Sequence, residues 1–196
     1  MSDVQVKFRL SFEDEYRKSL DTCYNLVKQD NNYPNRIIFA IMAVAYIEQA
    51  CNNLIIELSE AKFDNATSYA KDILGLTLKS KLQMSVLLAT DNASIIETNH
   101  NIVQSLFTLI SIRNKLIHKQ DHYKPPILDN NVSDPNIRAS FTFTAADETI
   151  EKLKASEIDK FYTACVKYVD NTLNCYKINR TIPESDFIIK NSKKSA

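Results

Sequence analysis

The chain has 196 residues, enough for one domain with a substantial core, and its 24 basic side chains equal its 24 acidic ones. With no net charge to attract polyanions, a nucleic-acid site would have to be a local positive patch. Gly75 is the only glycine, which excludes phosphate-binding loops and dinucleotide-binding motifs, because both need several glycines.

The first predicted element is a β-strand. Apolar and polar residues alternate over residues 4–12, and this period of two is typical of a half-buried strand. Ser11 is then expected to start a helix, because Glu13, Asp14 and Glu15 follow in its first turn, where the helix dipole favours acids. The predicted inner face of that helix consists of Tyr16, Leu20, Cys23, Tyr24 and Val27.

The middle of the chain predicts a series of helices. Pro34 is expected to open a long apolar helix that ends near Ala61. Asp64 is expected to cap the next helix, which Gly75 interrupts. Residues 76–90 then continue as a helical segment before a polar loop.

The second half predicts two helices and a strand. One helix runs from about Asn99 to Gln120, and a proline-containing loop follows it. The alternation of residues 137–143 predicts a strand, which we pair with residues 4–12 because an isolated strand is not stable. Ser156 is expected to cap the last helix. Its predicted core face consists of Ile158, Phe161, Cys165, Val169, Leu173 and Tyr176.

Together these elements predict an all-α fold, an antiparallel bundle of about five helices with a small two-stranded β element. We expect one domain over residues 1–182 and a loosely ordered tail over residues 183–196. The four cysteines form no CxxC pair, so we expect a reduced, cytoplasmic protein. The longest apolar run, residues 37–47, is too short to span a bilayer, so no membrane partner is expected.

Arg113 has an unusual position in the helix predicted over residues 99–120. On a helical wheel it lies at the centre of an apolar stripe. The stripe consists of Ile102, Leu106, Leu109, Ile110, Leu116 and Ile117. Glu48 is the matching anomaly in the second helix. It shares a face with Ile41, Val44, Cys51 and Ile55. Because a buried charge is costly without a partner, we predict that Glu48 and Arg113 form an ion pair.

Polar and basic residues surround this position. Ser111, Asn114 and His118 share a face beside the stripe, and His118 is in the last predicted turn, where the helix dipole favours its protonated form. Further basic residues follow, namely Lys115, Lys119, His122 and Lys124. A phosphate would therefore find a local excess of positive charge there.

The segment "RNKLIH", residues 113–118, resembles the signature of HEPN domains, in which an Arg, usually followed by a polar residue, precedes a His near a helix end. The apolar segment "AVAYIEQACNNLI", with its embedded Glu48, is similar to these domains as well. The resemblance covers about residues 13–177. It implies a metal-independent endoribonuclease without a cofactor, a toxin or antiviral defence effector that cleaves single-stranded RNA by 2′-hydroxyl attack and acts as a homodimer.

The resemblance also implies roles for individual residues. Arg113 would bind the scissile phosphate, Asn114 would orient it, and His118 would transfer protons. Glu48 and Ser111 would support these three. The expected RNA-binding residues are Lys115, Lys119, His122 and Lys124.

Three points concern alternatives and partners. Some HEPN domains are non-catalytic modules that bind RNA, a nucleotide or a partner protein, and that reading stays open. A metal pair of His118 and His122 is disfavoured, because two prolines follow at once and end the helix. An antitoxin or defence-system protein is an implied partner, but Gln120 stands where some members have a Tyr that is modified, so that form of regulation is not expected.

Overall fold

The computed structural model describes residues 2–62, 66–117, 153–174, 176, 179–182 and 185–190. In chain order the elements are α1 (Ser2–Gln29), α2 (Tyr33–Lys62), α3 (Ala66–Leu74), α4 (Leu78–Ala89), β1 (Ser94–Ile96), α5 (Asn101–Ile117), α6 (Ala155–Tyr168) and β2 (Ile188–Lys190). A π-helical segment, Val169–Asn174, continues α6. The predicted all-α fold with a small β element is confirmed.

Local sequence signals explain several helix ends. Pro34 lies in the first turn of α2, where a missing amide hydrogen costs nothing. Gly75 ends α3, and its amide donates to the Lys71 carbonyl at 3.1 Å. Thr77 caps α4 by accepting a hydrogen bond from the backbone amide of Ser80.

The start of α6 differs from the prediction. The N-cap residue is Lys154, so Ser156 lies inside the first turn and does not cap the helix. The Glu157 carboxylate accepts a hydrogen bond from the Lys154 backbone amide at 2.9 Å. An acidic side chain in the first turn therefore satisfies the backbone amide of the N-cap residue.

The predicted strand over residues 4–12 is wrong. Helix α1 begins at Ser2 and passes through Ser11 without interruption, so Ser11 does not cap it. No glycine or proline separates residues 4–12 from the helical sequence that follows. Extending an existing helix adds a hydrogen bond with each residue, whereas a strand is unstable without a partner, so the helix prevails over the alternating pattern.

The two-stranded sheet is formed by other segments than those predicted. Strands β1 and β2 are antiparallel, with Ser94 opposite Lys190 and Ile96 opposite Ile188. The strand predicted over residues 137–143 lies outside the described residues. A sheet of this size depends on the bundle beneath it for stability.

Residues 185–190 of the predicted tail are among the described residues. Residues 185–190 include a β-bridge and strand β2. The Phe187 side chain is buried, and its ring centre lies 5.9 Å from that of His100 and 6.5 Å from that of Tyr168. The Phe187 side chain therefore anchors this segment to the core of the bundle.

Helix α2 is the centre of the bundle and packs against α1, α3, α4, α5 and α6. Its length and composition would also suit a membrane-crossing helix, but half of its most apolar 18-residue window is buried in the protein. A central helix that is apolar on most sides is what a bundle of this kind requires. The predicted core face of α6 and the following residues is confirmed, because all six of its side chains are buried.

A polar network fixes α1 against the C-terminal helix. Arg17 forms ion pairs with Asp21 and Asp170, and the Tyr162 hydroxyl donates to Asp21 at 2.8 Å. The buried Tyr46 of α2 donates its hydroxyl hydrogen to Asp170. Asp170 lies in the π-helical segment. This segment is therefore connected to α1 by the ion pair with Arg17 and to α2 by the hydrogen bond from Tyr46.

Candidate functional site at the end of helix α5

Glu48 of α2 and Arg113 of α5 form the predicted ion pair, with 3.7 Å between Arg113 Nη2 and Glu48 Oε2. The pair is less buried than we expected, because the Arg113 side chain is 31% exposed and that of Glu48 is 32% exposed. Arg113 lies on the buried face of α5 but beyond the fully packed part, which ends at Ile112. Ile117, predicted to be in the stripe, is 49% exposed.

The residues predicted to share an apolar face with Glu48 are also less completely buried than expected. Val44, Cys51 and Ile55 are buried as predicted, whereas Ile41 is exposed. Glu48 therefore lies where the packed interior meets solvent. Such a position allows a carboxylate to keep part of its hydration while it neutralises a cation, which lowers the cost of the charge.

The most buried charge of the cluster belongs to a residue that we did not predict. The Lys81 side chain of α4 is only 5% exposed, and its Nζ donates to Glu48 Oε1 at 3.3 Å. In the sequence Lys81 resembles an ordinary surface lysine of an amphipathic helix. In the structure Lys81 lies one turn before the buried Ser85, so this side of α4 faces the interior.

Hydrogen bonds hold α4 in place beneath this cluster. The Ser85 hydroxyl donates to the Lys81 carbonyl at 2.8 Å, and the Tyr168 hydroxyl donates to the Leu82 carbonyl at 2.7 Å. The Cys51 thiol donates to the Tyr168 hydroxyl at 3.9 Å. Burial raises the pKa of Cys51 to about 11, so its sulfur stays protonated and does not act as a nucleophile near neutral pH.

Asn114 is tied to the ion pair from the solvent side. Arg113 Nη1 donates to Asn114 Oδ1 at 3.1 Å, and the Asn114 side chain is exposed. The cluster of Glu48, Lys81 and Arg113 has two positive charges and one negative charge, and so it keeps one net positive charge. An anion that approaches the end of α5 would meet this charge and an exposed amide together.

The other predicted site residues have different positions. Ser111 and Lys115 are each two residues from Arg113, so they lie on the opposite, exposed side of α5, where both line a groove between α4 and α5. The remaining four, namely His118, Lys119, His122 and Lys124, lie outside the described residues. The described part of the predicted site therefore divides between an ion-pair cluster and this groove.

The described residues contain no cluster of metal ligands. No group of three or more His, Cys, Asp or Glu side chains lies close enough there to hold a metal ion. The described histidine, His100, is at the opposite end of α5, where its Nδ1 accepts a hydrogen bond from the Ile102 amide at 3.3 Å. That contact is the capping role expected of a polar side chain at a helix start.

The chemistry available at the end of α5 is thus the binding of an anion by a fixed guanidinium and an amide. The resemblance to HEPN domains rests on the "RNKLIH" motif and on the helical setting around it. Comparison of the chain with models of known families, with curated proteins and with solved structures found no match.

Proposed function

We propose that the protein is a metal-independent endoribonuclease of the HEPN type that cleaves single-stranded RNA. The observation that carries this proposal is the state of Arg113. Glu48 holds its guanidinium from one side, Asn114 accepts a hydrogen bond from it, and about a third of the side chain stays exposed. A guanidinium that is oriented but still open to solvent suits the binding of a phosphate through two parallel hydrogen bonds.

The net positive charge of the cluster of Glu48, Lys81 and Arg113 also supports the binding of a phosphate. A single carboxylate paired with a single guanidinium would leave little charge for a substrate. Here Lys81 shares the Glu48 carboxylate, so the neutralisation of Arg113 is incomplete. The remaining positive charge would stabilise the additional negative charge that develops on a phosphate during attack.

In the proposed reaction, the 2′-hydroxyl oxygen beside the scissile phosphate attacks the phosphorus atom. A bond forms between that oxygen and phosphorus, and the bond to the 5′-oxygen of the next nucleotide breaks. His118 would accept the proton of the 2′-hydroxyl or donate a proton to the leaving 5′-oxygen. The products are a 2′,3′-cyclic phosphate and a 5′-hydroxyl, and no step requires a metal or an added water molecule.

The biological role that we propose is that of a cytoplasmic toxin or antiviral defence effector. The support is the resemblance of the residue 113–118 motif to HEPN domains, many of which act in this way. A homodimer, regulated by an antitoxin or another defence protein, belongs to the same proposal. The alternative is a non-catalytic module that uses the same cluster to bind RNA, a nucleotide or a partner protein.

The test is cleavage of labelled single-stranded RNA in EDTA by the wild type, by Arg113→Ala and by His118→Ala. We expect the wild type to cleave and both variants to lose activity by at least about a hundredfold, because proton transfer and charge stabilisation each contribute on that scale. The two losses should not add in the double variant, since residues that act in one step fail together. An oligonucleotide with 2′-deoxyribose throughout should remain intact.

His100→Asn is the matched control, because it replaces a histidine at the other end of α5 by a residue that can still cap the helix. It should cleave like the wild type. Cleavage that survives in His118→Ala would remove the catalytic proposal. Intact RNA in all samples, with RNA binding that Arg113→Ala weakens, would instead establish the non-catalytic module.

A further inference from the structure

A groove with a volume of about 300 Å³ lies between α4 and α5. Two lysines, Lys79 of α4 and Lys115 of α5, line it together with the aromatic ring of Phe107. Polar side chains of α5, among them Gln104, Thr108 and Ser111, complete its wall. The volume is at the lower end of the range of small-molecule sites, roughly 300–1,000 Å³.

The charges that line the groove are of one sign. Lys79 and Lys115 are both exposed, and the described residues of the lining include no acidic side chain. This differs from the chain as a whole, in which acids and bases are equal in number. A concave surface with this lining favours an anionic ligand.

Phe107 adds a flat apolar surface to the groove. Its ring packs in part against the core, which fixes its orientation, and the Lys79 ammonium lies 5.0 Å from the ring centre. A cation–π contact at an exposed site is weak, about 0.5–1 kcal/mol. A nucleobase can therefore replace the lysine on the ring, while the flexible lysine moves to a phosphate.

The groove and the proposed site share helix α5. Phe107 precedes Asn114 by two helical turns, about 10 Å, and Ser111 lies between them on the same side of the helix. Neighbouring nucleotides of one RNA strand can span such a distance. A duplex would not fit this arrangement, because its bases are already stacked on one another and none is free to contact the ring.

We propose that this groove binds one nucleotide of single-stranded RNA next to the cleaved bond, with its base on Phe107 and its flanking phosphates on Lys79 and Lys115. The hydroxyls and amide of Ser111, Thr108 and Gln104 would contact the ribose, whose 2′-hydroxyl is both a donor and an acceptor. The position of the bound nucleotide relative to the cleaved bond rests on the proposed function. Binding in the groove does not depend on cleavage.

The absence of tryptophan from the sequence allows a direct test. Phe107→Trp introduces a single indole into the groove, and its fluorescence is titrated with a single-stranded hexanucleotide that has 2′-fluororibose. This probe lacks the nucleophilic hydroxyl and stays intact. We expect quenching that saturates with the oligonucleotide and is at least about tenfold weaker with a duplex of the same sequence, since the strength of base stacking on an aromatic ring is of that order.

Substitutions then assign the contacts, measured by anisotropy of the labelled hexanucleotide. Phe107→Leu keeps the apolar packing and should weaken binding by about tenfold. Lys79→Met and Lys115→Met should each reduce the slope of log affinity against log salt by about 0.7, the effect of one lost phosphate contact on a single strand. Lys160→Met, on the exposed side of α6, is the matched control and should change neither value.

The proposal is overturned if the indole is not quenched, if the duplex binds as well as the single strand, or if Lys160→Met changes the slope as much as Lys79→Met does. These results leave RNA cleavage by Arg113 and His118 untouched. Conversely, the oligonucleotide could bind in the groove with the expected dependence of affinity on salt while natural RNA stays uncleaved. That result would refute only the proposed nuclease activity. A far-ultraviolet circular dichroism spectrum equal to that of the wild type is required of each variant before its binding is compared.

Discussion

The Lys81 ammonium and the Arg113 guanidinium lie against different oxygens of one carboxylate, that of Glu48. Lys81 Nζ is 3.3 Å from Oε1, and Arg113 Nη2 is 3.7 Å from Oε2. The two cations differ in burial, since the Lys81 side chain is almost fully enclosed and that of Arg113 is partly open. Glu48 therefore stabilises the fold mainly through the lysine, and in the proposed function it would orient the arginine.

Removal of the Glu48 charge should destabilise the fold through Lys81. In Glu48→Gln the buried ammonium loses its counterion, and we expect the free energy of unfolding to fall by about 2–4 kcal/mol, somewhat less than for a fully buried pair because Glu48 is partly exposed. Urea denaturation measures this value. Arg113→Gln should cost less than half as much. Equal losses would show that the arginine, not the lysine, depends on the carboxylate for stability.

Replacement of Lys81 tests the ion pair between Lys81 and Glu48 by removal of the lysine charge. Lys81→Met keeps the length of the side chain and removes the buried charge, and Glu48 still has Arg113 as a partner. We expect a loss below about 1.5 kcal/mol. In the double variant with Glu48→Gln, the large loss of the single Glu48 variant should be partly recovered, because no buried ammonium remains. Simple additivity of the two losses would contradict this account.

The buried thiols should make the fold less stable in alkali. Burial raises the pKa of Cys51 to about 11 and that of Cys165 to about 12. Above a pH of about 9 the unfolded chain ionises these thiols and binds fewer protons than the folded chain, so the free energy of unfolding should fall as pH rises from 9 to 11. Urea denaturation over this pH range measures the effect in the wild type and in the double variant Cys51→Ala/Cys165→Ala. The loss of stability should be smaller in the double variant.

Alkylation provides an independent check of the same thiols. Iodoacetamide at pH 8 should leave Cys51 and Cys165 unmodified in the folded protein, whereas the partly exposed Cys23 should react first. Peptide mass spectrometry separates the three positions. Modification of Cys51 as fast as that of Cys23 would show that the centre of the bundle opens far more often than its packing implies.

We propose that two copies of the chain form a homodimer through the exposed end of α5. Ile117 is 49% exposed and follows the exposed Asn114 by less than one turn, so apolar and polar contacts could combine across a two-fold axis. Sedimentation at micromolar concentration should show a dimer, and Ile117→Glu should shift it to monomer and reduce cleavage. A wild-type monomer with full activity would refute the dimer.

The helices were predictable where local signals and burial agree. Pro34 marks the first turn of α2, Gly75 ends α3, and the spacing from Ile158 to Tyr176 gives the buried face of the last helix. The pair of Glu48 and Arg113 was predictable because a charge in an apolar stripe needs a partner. These predictions needed only the sequence period and the cost of burying charge.

The strand predicted over residues 4–12 fails for a local reason, the continuation of helix α1, whereas the real sheet and the burial of Lys81 depend on distant segments. Residues 4–12 alternate as a strand would, but the structure pairs β1 with β2 instead. Neither of those three-residue strands is long enough to show a period in the sequence. Lys81 was missed because its burial follows from the position of α2 against α4 and not from its own helix.

The pairing of β1 with β2 also affects how the protein is made. Ser94 and Lys190 face each other across the sheet, so β1 emerges from the ribosome long before its partner exists. Helices α1 to α5 can collapse locally during synthesis, but the outer surface near Phe187 stays open until the last of these residues is translated. If the proposed ribonuclease function holds, this late closure of the fold would also delay activity until translation of this region is complete.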